Sequence, residues 1–96
     1  VSNLAFDFVP YYPYSLATSN PAGTMTPSAI EGTIEITFSS SVASSSYVHQ
    51  YINAENGIGR ARVVKFVSST KVEAFVEIPF ANTNAIANGD WELENG

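Results

Sequence analysis

Apolar and polar residues alternate along this chain in short bursts, separated by stretches rich in Ser, Thr, Asn and Gly. The cleanest burst is 33–38: Ile34, Ile36 and Phe38 fall on one side, and Thr33, Glu35 and Thr37 on the other. A period of two is the mark of a half-buried strand. A second strand is predicted over 47–52, with Val48 and Ile52 on one face and Tyr47 and Tyr51 on the other. Asn56-Gly57 then marks a turn, because both residues accept positive φ angles.

Residues 60–67 and 71–78 predict a hairpin whose loop is Ser69-Thr70. In one register Ala61 meets Ile78, Val63 meets Val76 and Val67 meets Val72 inside. Outside, Arg62 meets Glu77, Val64 meets Phe75 and Phe66 meets Glu73. Opposed charges and opposed apolar side chains each add roughly 0.2–1 kcal/mol, so this register is the favoured one. Lys65 is its misfit, falling inside opposite Ala74. Val64, Phe66 and Phe75 emerge as an apolar patch on the outer face, the kind of surface that serves for contact unless another segment covers it.

The flanks are less regular. Leu4, Phe6 and Phe8 alternate with polar or small residues, and Pro10 and Pro13 then end any strand. Phe6, Phe8, Tyr11, Tyr12 and Tyr14 make this arm aromatic; it either covers one end of the core or docks on another subunit. Residues 15–32 read as loop, with one helical turn expected after Thr26-Pro27 and stopped by Gly32. A second helical turn is expected over 81–88, capped by Gly89. A last short strand follows, with Trp91 and Leu93 inward. The expectation is an all-β fold: a small barrel or sandwich of about six mostly antiparallel strands with one or two short helical turns. Residues 1–31 form an aromatic, Pro-rich arm and loop, and 32–96 the β-barrel domain.

Composition narrows the function classes. Only 14% of residues are charged, against about a quarter in ordinary globular chains. A surface so weakly charged suits packing against neighbours, or simply reflects β composition. The net charge is −5, and the four cations Arg60, Arg62, Lys65 and Lys71 all lie on the hairpin. An acidic chain lacks the cationic face that displaces counterions from nucleic acid. There is no cysteine, which removes disulfides and thiolate metal sites. No apolar run reaches the roughly 20 residues of a membrane-spanning helix. Neither nucleic acid nor membrane is an expected partner.

Catalytic chemistry finds little footing. His49 is the one histidine, and no acid is spaced to make it a metal ligand or the orienter of a base. No serine sits in a G-x-S-x-G turn. Asp90, Glu92 and Glu94 alternate and share a strand face, a pattern that serves acid–base or calcium chemistry less often than simple solvation. Gly57-Ile-Gly59 lacks the third glycine of a dinucleotide loop. The chain is therefore expected not to be an enzyme and to take no cofactor or metal.

From about Gly32 onward the chain resembles a small β domain of tailed-phage virion proteins, itself similar to the first catalytic-cysteine half-domain of ubiquitin-activating enzymes. The resemblance rests on Gly59-Arg-Ala-Arg-Val63, Ser69-Thr-Lys-Val72, Val76-Glu-Ile-Pro-Phe80 and Gly89-Asp-Trp-Glu-Leu-Glu94, in that order. It implies a small β-barrel with a structural role in a tail, an adaptor or a capsid-surface protein. The implied location is the virion, and the implied partners are other virion subunits in a homo- or hetero-oligomer. It implies no ubiquitin chemistry. A different class of function also fits the residues: a carbohydrate-binding or host-adhesion domain whose exposed Tyr and Trp faces stack on sugars. The first 31 residues lie outside the resemblance.

Overall fold

In the computed structural model, residues 17–54 and 57–95 are described. Seven strands are found among them: β1 Thr18–Ser19, β2 Met25–Pro27, β3 Thr33–Phe38, β4 Tyr51–Ala54, β5 Arg60–Ser68, β6 Lys71–Ile78 and β7 Trp91–Glu94. They form one antiparallel sheet in the order β1-β7-β4-β5-β6-β3-β2. The protein is all-β.

Alternation explains the inner face. Ile34, Ile36 and Phe38 of β3 are buried, as are Ile52 of β4, Ala61 and Val63 of β5, and Val72, Ala74 and Val76 of β6. Each large aliphatic side chain so removed from water contributes about 1.5–3 kcal/mol, and among the described residues no polar or charged one shares the interior. The sheet curls so that its two ends converge on Trp91. The indole stacks on Phe38 at 5.3 Å between ring centroids, and its N–H donates to the Gly23 carbonyl at 3.0 Å. The end strands do not pair with each other, so the sheet is not a closed barrel. The 86–90 stretch spans the gap instead: Met25 and Ile86 exchange two backbone hydrogen bonds, of 3.1 and 2.8 Å, and the Gly23 amide donates to Asn88 Oδ1 at 3.0 Å.

Several expectations are corrected. The stretch read as loop supplies β1 and β2, so the sheet begins ahead of residue 32. Thr26-Pro27 does not start a helical turn; Pro27 ends a three-residue edge strand, the place in a sheet where a missing N–H does least harm. Residues 81–88 form no helical turn, because Ile86 is drawn into its bridge with Met25. A 3-10 turn lies elsewhere, over Ser45–Tyr47 in the serine-rich connection. The strand predicted from Tyr47 starts only at Tyr51. His49, at φ 76°, breaks it, in a left-handed conformation that His tolerates better than bulkier side chains. Tyr47 consequently turns into the core and meets the edge of Phe38 at 6.0 Å.

Candidate functional site

The β5–β6 hairpin carries the residues singled out for contact. Its loop and its last pair, Ser68 with Lys71, fall as the sequence predicts. Above that pair the register departs, because three bulges interrupt it. Val67 and Val64 are extra residues in β5, and Glu77 is extra in β6. A bulge inserts one residue and turns the following side chains over. Lys65 thereby leaves the interior and stands opposite Glu73, while Phe66 stands opposite Val72 and Phe75 opposite Arg62. The expected pairs of Val64 with Phe75 and of Phe66 with Glu73 are not made. The three side chains are nonetheless exposed, and Val67 joins them: Val64, Phe66, Val67 and Phe75 are 36–46% exposed. Val67 and Ile78, both expected inside, are exposed by the same bulges. The misplacement of Lys65 in an unbroken ladder is the sequence signal from which these bulges could be found.

A second cluster joins four strands through Arg60. Its Nη1 donates to Glu94 Oε1 and to Asn53 Oδ1, each at 2.7 Å. Asn53 Nδ2 donates to the same Glu94 oxygen at 2.6 Å, and Glu77 Oε1 lies 3.5 Å from Arg60 Nε. The guanidinium carbon sits 3.9 Å over the Tyr51 ring, a cation–π arrangement. Burial pushes the Glu94 carboxyl upward, but hydrogen bonds from Arg60 and Asn53 and the guanidinium charge outweigh it and hold it below its usual range. Burial likewise lowers Arg60, and the hydrogen bond and charge of Glu94 more than reverse this. Arg62, expected to meet Glu77, does not; Arg60 takes that acid. Beside the cluster lies an open cleft of about 510 Å³, lined by Asn20, Asn53, Arg60, Ile78, Asp90 and Glu92 among others. Its charged and amide groups on β4 and β5 are engaged with one another.

The remaining candidates are dispersed. Lys71 reaches Glu35 at 3.4 Å; among the described residues Arg62 and Lys65 lie in no ion pair. His49 is exposed, with its backbone N–H on the Val63 carbonyl at 2.8 Å. Glu92 and Glu94 share the outer face of β7, and among the described residues no three His, Asp or Glu side chains converge as metal ligands. Trp91 is only 2% exposed, and Tyr51 is capped by Arg60. Among the described residues the Tyr and Trp faces are thus occupied, whereas the Phe66 and Phe75 rings are exposed. Phe6, Phe8, Tyr11, Tyr12 and Tyr14 lie outside the described residues. No family model, no curated protein and no solved structure matches this chain.

Proposed function

We propose that this chain is a non-enzymatic structural module of a phage virion that holds neighbouring subunits together in a tail, an adaptor or a capsid-surface protein. The observation that carries the reading is the exposure of Val64, Phe66, Val67 and Phe75 on one hairpin, with Phe75 on its outer face and Phe66 in the row of Val72. Exposed groups of this kind on small domains serve as contact surfaces. The resemblance to virion β domains supports the same reading. Its four stretches fall at the start of β5, at the hairpin loop, at the end of β6 and on β7 with its entry turn. The aromatic arm of Phe6, Phe8, Tyr11, Tyr12 and Tyr14 is the second docking element. The partners are other virion subunits, and neither cofactor, nucleic acid nor membrane takes part.

The test is removal of residues 1–14. The shortened protein should keep its cooperative unfolding but no longer join the assembly that the full chain joins. Loss of folding on truncation would make the aromatics core residues and end the arm's docking role.

A further inference from the structure

We infer that the arm's partner is a second copy of this chain, and that it docks on the exposed hairpin surface of Val64, Val67 and Phe75. This rests on the assembly reading above and names its partner.

The register places the arm's exit relative to that surface. Thr18 pairs with Glu94, Glu94 with Tyr51, Tyr51 with Arg62, and Arg62 with Phe75. The chain therefore enters the sheet at one end of a cross-strand row and the exposed Phe75 lies near the other end. Four strand spacings of about 4.8 Å separate them. Residue 17 is tied down there, its carbonyl accepting from the Asn95 amide at 2.9 Å. An arm returning to its own hairpin along this row would cross the Arg60–Glu94–Asn53 cluster and the Tyr51 ring beneath it. Covering that cluster with aromatic side chains would strip water from charges that are paired but still partly hydrated, which is unfavourable. Pro10 and Pro13 add to this, since proline and the residue before it favour extended backbone. A neighbour's arm is not bound to follow this row.

The two surfaces are chemically complementary. Residues 1–16 carry five aromatic side chains, one acid, Asp7, and no Lys or Arg. The hairpin offers exposed apolar side chains and two cations, Arg62 and Lys65, that lie in no ion pair among the described residues. Tyr and Phe rings attract such cations, and Leu4, Phe6 and Phe8 present one apolar side at strand spacing. Five aromatic side chains of roughly 150–250 Å² each can supply the about 800 Å² per partner of a specific interface. Strand addition along β5 is not the mode. Bulges at Val64 and Val67, together with Lys65, blunt that edge, and the segment from Ala43 to His49 is tied at its ends to Ser69 and Val63 beside it. Docking is through side chains.

The experiment is complementation between two damaged copies. One full-length variant carries V67S and F75S on the hairpin; the other carries F6S and F8S on the arm. All four positions are either exposed or outside the described core, and the emission of Trp91 reports whether each variant is folded. Sedimentation over rising concentration should show the unaltered chain self-associating and each variant weakened by at least about tenfold, the effect of losing one well-packed interface side chain. Mixing the two variants should restore a mixed pair through the one intact arm and the one intact hairpin. A chain that stays monomeric at all concentrations overturns the inference, as does association that ignores V67S and F75S. So does a monomer whose hairpin amide signals shift when residues 1–14 are removed, because the arm would then lie on its own copy. A monomeric chain that still joins a larger assembly through its arm would leave the assembly reading standing without this one.

Discussion

Gly59 presses its bare α-carbon against the Phe80 ring at a φ of 118°. The contact locks the β4–β5 turn onto the core, since the Gly59 carbonyl also accepts the Ala54 amide at 2.8 Å. A Cβ at this position would collide with the ring atoms Cδ1 and Cε1. Gly59→Ala should therefore destabilise by about 2–4 kcal/mol, combining backbone strain with overpacking. Gly32→Ala, at φ 87° with open space around it, should cost only about 1–2 kcal/mol. Urea unfolding measures both. In a Phe80→Ala background the second cost at Gly59 should shrink to the backbone part; an unchanged cost would mean the ring is not what the glycine serves.

The bulge at Val64 makes a second prediction, because Val63 and Val64 are adjacent and identical. Removing either valine yields the same chain, in which the ladder runs without interruption from Val63 opposite Ala74 to Lys65 opposite Glu73. The deletion should be tolerated, at no more than about 2 kcal/mol. Deleting Glu73 instead shifts β6 against β3, where the pairing runs without interruption from Thr33 opposite Phe75 to Thr37 opposite Lys71 and sets Glu35 opposite Glu73. A one-residue slip there turns the side chains of β6 over, and the protein should lose cooperative unfolding. Equal damage from both deletions would contradict the register.

These two sites mark how far the sequence speaks. Thr33–Phe38 was fully legible, because its alternation is unbroken and it is paired on both sides. The hairpin loop and the inward Trp91 and Leu93 were legible for the same reason. β1 and β2 were not, since two or three residues cannot display a period. The bulged valines hid because an inserted residue breaks the alternation on which register prediction depends. Their exposure was half legible, with Val64 foreseen and Val67 not. The Arg60 cluster was invisible because it joins Asn53 on β4, Glu77 on β6 and Glu94 on β7. Their meeting follows from the sheet order β7-β4-β5-β6, which sequence order does not reveal.

Trp91 is the chain's single tryptophan and is buried where the sheet ends converge. Its emission should be blue-shifted in the folded state and resist acrylamide quenching, then shift red on unfolding. Trp91→Phe keeps a ring to stack on Phe38 but leaves the Gly23 carbonyl without its indole donor. The loss should be about 0.5–1.5 kcal/mol, the net worth of one hydrogen bond, because the Gly23 carbonyl is only partly buried. A solvent-like emission maximum in the native protein would mean that the sheet ends do not converge on this residue.

The Arg60–Glu94 pair predicts how stability depends on pH. The folded carboxyl of Glu94 lies below its usual value of 4.5, so the unfolded chain takes up its proton first as pH falls. The pair's contribution is present above that usual value and disappears as pH drops through the lower folded one. Unfolding free energy should fall with acidification in this window, and Glu94→Gln should flatten that part of the curve. At neutral pH the same substitution should cost about 1–3 kcal/mol, because Arg60 and Asn53 then donate to a neutral amide oxygen in place of a carboxylate. The double variant R60M/E94Q should lose less than the two single losses added together, since neither partner is then left alone. Denaturant titrations from pH 3 to 7 give all four curves. An acid slope that survives Glu94→Gln unchanged would show that this carboxylate is not the group responsible.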